Sequence, residues 1–273
     1  MSEYQYYEFQ AIDRALGLKE MAYLRGYSTR ATITPTSFVN HYEWGDFKGD
    51  EDTWMSRFFD AFLYTANWGT NILKLRVPSN RLSLATARVF HTGNAVVARQ
   101  KLGNTIITLT STDETGDWNG DHPTLASMIS IRNELARGDL RALYLGWLAA
   151  VQNGEVEDEI VEPPVPAGLG KLDASHNALV AFLRIDNGLL RRAARESAPL
   201  APRPKRRSLA AWIRGLPAPE KDRILVRILA DGPQAAAELR DWFSAEPRTQ
   251  PRDTARNSGR RAVRDLVLRR QRA

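Results

Sequence analysis

The sequence predicts an α+β protein with a ferredoxin-like (βαββαβ) N-terminal core, a hairpin extension and additional C-terminal helices. Three observations carry this reading. Before Pro78, short aromatic and β-branched runs alternate with two amphipathic stretches; two β-branched runs then flank Lys101-Leu102-Gly103-Asn104; and apolar stripes recur at helical spacing from Thr124 onward. The boundaries expected are 1–112 for the core with its hairpin and 113–198 for a helical extension packed on it. Residues 199–273 form a basic, largely helical C-terminal region with mobile segments.

Tyr4 to Ile12 is rich enough in aromatics to read as a strand. In Leu18 to Leu24, Leu18, Met21 and Ala22 mark one face of a short helix, and Ala31–Thr34 and Phe38–Trp44 give two further strands around Pro35-Thr36. Asp50 or Asp52 can cap the next helix, whose Met55, Phe58, Phe59, Phe62, Leu63 and Ala66 follow the i, i+3, i+4 rhythm. Trp68-Gly69 ends it, and Ile72–Val77 is a strand stopped by Pro78. Ala95–Ala98 and Thr105–Leu109 make the hairpin. Thr124–Ala136 and a helix capped by Asp139 follow, the second with Leu140, Leu143, Tyr144, Trp147, Leu148 and Val151 on one stripe. Glu155–Gly170 is acidic and Pro/Gly-rich, a linker or a long strap across the surface, Leu172–Glu196 is helical, and Pro199, Pro202 and Pro204 interrupt the chain before shorter helical segments.

The 273 residues contain no cysteine, which excludes disulfides, thiolate metal sites and a cysteine nucleophile. His41, His91, His122 and His176 include no pair four residues apart. No leader pattern and no run of eighteen apolar residues is present, so a cytoplasmic protein without membrane contact is expected. The net charge of +6 is uneven: residues 200–273 hold 18 Lys and Arg against 8 Asp and Glu, leaving 20 against 24 before them. A basic C-terminal quarter on an acidic body suggests a polyanionic or acidic partner.

Two loops carry candidate metal ligands. Asp117, Asn119, Asp121 and His122 offer oxygen and imidazole groups, but the glycine falls one position early for a calcium loop and the distal Glu is missing. Glu43 to Asp52 is acidic and lies where a helix begins, which favours capping. Together these loops define the alternative reading, a divalent-metal-dependent hydrolase or nuclease. No glycine-rich phosphate loop or serine elbow occurs, and adjacency of Ser175 and His176 does not make a nucleophile and base. His41, alternating with Val39 and Glu43, reads as a structural histidine. Phe38, Asn40, Tyr42 and Trp44, with Tyr4 and Tyr6, read as packing residues before a base-stacking platform.

Tyr6-Tyr7-Glu8-Phe9-Gln10-Ala11-Ile12-Asp13-Arg14, Ile33 to Asn40 and Trp44-Gly45-Asp46-Phe47-Lys48-Gly49 resemble a group of uncharacterised bacterial proteins. The resemblance spans the N-terminal two thirds and continues loosely in Leu216 to Asp222; it implies a bacterial, cytoplasmic setting and no residue roles.

The function expected is a non-enzymatic binding or assembly subunit that uses no cofactor and contacts nucleic acid or an acidic protein partner. Lys205, Arg206, Arg207, Arg260, Arg261, Arg264, Arg269, Arg270 and Arg272 are the contact candidates. A protein-partner version adds the apolar face of Val263, Leu266 and Val267.

Overall fold

The computed structural model describes residues 3–113, 124–201, 209–231 and 261–267. The chain divides into two units, one comprising residues 1–200 with 257–273 and the other residues 201–256.

The larger unit is built on seven strands: β1 (Gln5–Gln10), β2 (Thr32–Thr34), β3 (Ser37–Tyr42), β4 (Ala61–Ala66), β5 (Thr70–Pro78), β6 (Val96–Lys101) and β7 (Asn104–Thr112). Their order is β2-β3-β1-β4-β5-β7-β6, with antiparallel pairing throughout. The α+β class stands, but this sheet is larger than the four strands of a ferredoxin-like core.

The difference begins at one segment. The helix expected from residue 50 to residue 66 is two elements: α2 (Glu51–Arg57) stops, and β4 follows after Phe58-Phe59-Asp60. Every residue of β4 is buried, because both faces of the sheet are covered there. A strand buried on both sides is a continuous apolar run, and such a run satisfies the helical spacing as readily as the strand spacing. The 102–103 hairpin is as expected: Leu102 and Gly103 both have positive φ, 51° and 75°, as a two-residue turn between β6 and β7 demands.

One face of the sheet buries Leu63, Leu73, Leu75, Ile107 and Leu109. It is covered by α3 (Leu84–Arg88), α4 (Ser130–Leu135), α5 (Arg141–Gln152), α6 (Ala174–Phe182), α7 (Asn187–Ala194) and α10 (Val263–Val267). Leu143, Trp147 and Leu148 of α5 lie inside, as their stripe requires. Gly146 lets this helix reach the sheet: a Cβ there would stand 2.7 Å from side-chain atoms of both Leu109 and Val96. The opposite face buries Tyr7, Phe9, Phe38, Phe62 and Tyr64 beside α1 (Leu18–Arg25) and α2. Phe9 is the hub of this aromatic layer, its ring 4.4 Å from Phe62 and 5.2 Å from Trp54.

The acidic strap after α5 anchors the returning chain. Ala198 accepts from the Gly168 N–H at 2.8 Å, and the carbonyl of Arg261 accepts from the Glu162 N–H at 3.0 Å. Beyond it, Val263 and Leu266 of α10 are 1% and 0% exposed. The 201–256 unit contains α8 (Leu209–Gly215) and α9 (Ala218–Asp231), joined through Leu216-Pro217. No helix among the described residues is long and apolar enough to cross a membrane.

Candidate functional site

Of the nine basic contact candidates, only Arg261 and Arg264 fall among the described residues; Lys205, Arg206, Arg207, Arg260, Arg269, Arg270 and Arg272 lie outside them. Arg264 is exposed. Arg261 is committed inward: Nε and Nη2 donate to Glu162 at 2.5 and 2.9 Å, and Nη1 donates to the Arg192 carbonyl at 3.3 Å. The hydroxyl of Tyr144 donates to the same carboxylate. Burial, and then the Glu162 charge, push the Tyr144 phenol well above its ordinary range, so it remains a donor. Thus Arg261 closes the core, and the apolar face expected to dock a partner is split. Val263 and Leu266 pack internally, while Val267 is 39% exposed.

In the acidic loop before α2, Asp50 caps the helix by accepting from the Thr53 N–H at 2.6 Å. Glu51 and Asp52 meet Lys74 at 2.7 and 2.8 Å, and Asp52 also meets Arg99 at 3.0 Å. The second acidic loop falls almost wholly on residues 114–123, outside those described. His41 exchanges a hydrogen bond with the Tyr4 hydroxyl at 2.9 Å, consistent with a structural role.

Sequence reasoning missed a polar knot where α4, α5 and α6 meet. Glu134, Asp139 and His176 bring ligand-type atoms within 4.8 Å of one another. Arg141, 1% exposed, occupies the knot: it donates to Asp139 at 2.8 to 3.1 Å and to Asp173 at 3.1 Å, and lies 3.5 Å from Glu134. Asp173 caps α6 through the His176 N–H and pairs with His176 Nδ1 at 2.9 Å. Burial works to raise the Asp173 pKa, but the bonds from His176 and Ser175 hold it well below the usual carboxylate range. Burial raises Glu134, and the Asp173 and Asp139 charges add to the rise against His176 and Arg141. The guanidinium already supplies the cation that a metal would bring, so the residues suit a helix junction better than a metal centre. Ser175 donates to Asp173 at 2.8 Å, and His176 Nε2 is buried without a hydrogen-bond partner. No serine is therefore set against that nitrogen among the described residues.

A concavity lies elsewhere, on the aromatic face at the Gln5 end of β1, between the 45–51 loop and the β4–β5 turn. Comparison with protein-family models, with curated proteins and with solved structures gave no match.

Proposed function

We propose that the protein is a non-enzymatic binding subunit whose basic C-terminal region contacts the phosphates of a nucleic acid. The carrying observation is the placement of charge. The separate 201–256 unit holds 12 Lys and Arg against 7 Asp and Glu, and residues 257–273 hold 6 against 1, on a body that is net negative. Arg214 and Arg223 on α8 and α9, and Arg264 on α10, are exposed. The burial of Val263 and Leu266 weighs against the version in which their stripe docks an acidic protein, and so favours the electrostatic one.

Charge–phosphate contacts give weak sequence preference and steep salt dependence. The test is fluorescence anisotropy of labelled RNA, single-stranded DNA and duplex DNA with the full chain at low and high salt. A variant with Lys205, Arg206, Arg207, Arg264, Arg269, Arg270 and Arg272 changed to Gln keeps Arg261 and its core role. The expected result is binding that weakens with salt and a log–log salt slope that falls by about 0.7–0.9 for each phosphate contact removed. Absence of binding, or equal binding by the variant, overturns the reading.

A further inference from the structure

The concavity on the aromatic face has a volume of about 710 Å³ and a built floor. Gln5, Tyr7 and Tyr64 are 5%, 4% and 7% exposed. Tyr7 and Tyr64 face each other across the β1–β4 ladder with ring centroids 4.7 Å apart, and both hydroxyls donate to Gln5 Oε1, at 2.9 and 3.0 Å. Gln5 Nε2 donates to the Gly45 carbonyl at 3.1 Å, which ties the wall loop to the floor. Burial first raises both phenols above their ordinary range; for Tyr7 the Tyr64 phenol and then the Asp46 and Glu51 charges add to it, and for Tyr64 those two charges add to it against the hydrogen bond with Tyr7. They stay neutral, each with its proton spent on Gln5 and its oxygen lone pairs left to accept.

The walls continue the same bias. Glu3, Asp46, Asp50 and Glu51 line the cleft, Glu51 already answered by Lys74 at 2.7 Å, and no lysine or arginine is among the described lining residues. Asp46 is exposed; its Oδ1 receives the Phe47 N–H at 2.9 Å and lies 3.4 Å from the Tyr7 hydroxyl, whose proton goes to the nearer Gln5 Oε1, and Oδ2 is left open. Phe47 and Trp68 add ring surface, Trp68 being 44% exposed. The cleft thus offers many acceptors, few donors, aromatic faces and negative charge. An anion is repelled, and a neutral polar ligand such as a sugar finds almost no donors for its oxygens. Guanidinium and ammonium groups carry donors and no acceptors, and aromatic faces attract them. A bare divalent ion fits less well, because these four carboxylates do not converge on a common point as the Glu134 group does.

We propose that this cleft binds an organic cation, a guanidinium- or ammonium-bearing chain that lays its charge among Asp46, Asp50 and Glu3 and its stem against Trp68 and the two tyrosines. The volume admits more than a single side chain, which suits a basic peptide or a polyamine.

Isothermal titration of the full chain with a tetra-arginine peptide and with spermidine separates these two sources, and tetraglutamate, calcium chloride and chitotriose serve as contrasting probes. Tryptophan emission followed in parallel should change on binding in the wild type and respond far less in Trp68→Phe. Asp46→Asn with Asp50→Asn removes two charges while keeping the oxygens that accept from Phe47 and Thr53, so the cap persists. The expected loss of affinity for the cationic probe is about tenfold or more, with unchanged circular dichroism. Trp68→Ala should weaken binding separately. Binding by neither cationic probe, equal binding by the folded double variant, or preferential binding of calcium or chitotriose overturns the proposal.

Discussion

Loosening the C-terminal clasp should destabilise the larger unit by more than any surface role of residues 261–267 could explain. Leu266 is 0% exposed, so Leu266→Ala removes a fully packed side chain at a cost of about 2–5 kcal/mol. Arg261→Met acts through its partner instead. Glu162 is 6% exposed and would lose its cation, and breaking a buried pair from one side costs about 3–5 kcal/mol. The lower end applies, since Tyr144 still donates to that carboxylate and Arg261 is 19% exposed at its side chain. The two losses share one segment and should add imperfectly. Val267→Ala, at a half-exposed position on the same helix, is the control and should stay within about 0.5 kcal/mol. Urea unfolding followed by tryptophan emission reads the effect, because Trp147 lies 5.7 Å from Tyr144 between ring centroids. With a slope of about 1–3 kcal/mol per molar, a loss near 3 kcal/mol moves the midpoint by about 1 M or more. Wild-type midpoints in both Leu266→Ala and Arg261→Met would refute the buried clasp.

Gly146→Val should destabilise by about 1–3 kcal/mol through overpacking against Leu109 and Val96, seen as a lowered Tm; an unchanged Tm would mean that α5 does not touch the sheet there. Asp60, fully buried, is pushed upward by burial but held below the usual carboxylate range by Arg76, Arg132 and the Asp13 and Ile12 N–H groups. Its folded pKa is below the unfolded value of about 3.9, so its contribution is present above that pH and is lost as pH falls through the folded pKa. Asp60→Asn should therefore lower the neutral-pH urea midpoint and flatten its acid decline, and a decline parallel to wild type would count against this role.

How much of the fold was legible depended on whether a segment had one dry face or two. The α5 stripe was legible because Arg141 to Gln152 packs as a helix should, and the Leu102-Gly103 turn because positive φ has few sequence solutions. In contrast, the apolar residues from Met55 to Ala66 fitted one helical template although only the first part is helical. Once β4 was counted as helix, the β1–β4 ladder disappeared from view, and the sheet was short of one of its seven strands. Four strands and two helices in the remaining order then matched a split βαβ by default.

The site was harder to see for a related reason: its chemistry is distributed across pairings that no local pattern records. Asp50 and Asp46 were visible as an acidic loop, but the acceptor floor exists only because Tyr7 and Tyr64 meet across two strands, one of which had been assigned to a helix. The same holds for Arg261, which looked like one more cation in a basic tail. Its partner Glu162 is 99 residues away on the strap, and charge counting alone cannot distinguish a cation facing solvent from one neutralised inside. Composition therefore overstated the free positive charge of the tail by at least this one residue, while understating the negative cleft on the body, where Asp46 retains an open carboxylate oxygen. What the protein presents to solvent is set by which charges its own fold leaves unanswered: exposed arginines on the C-terminal segments, and carboxylates around an aromatic cleft on the sheet.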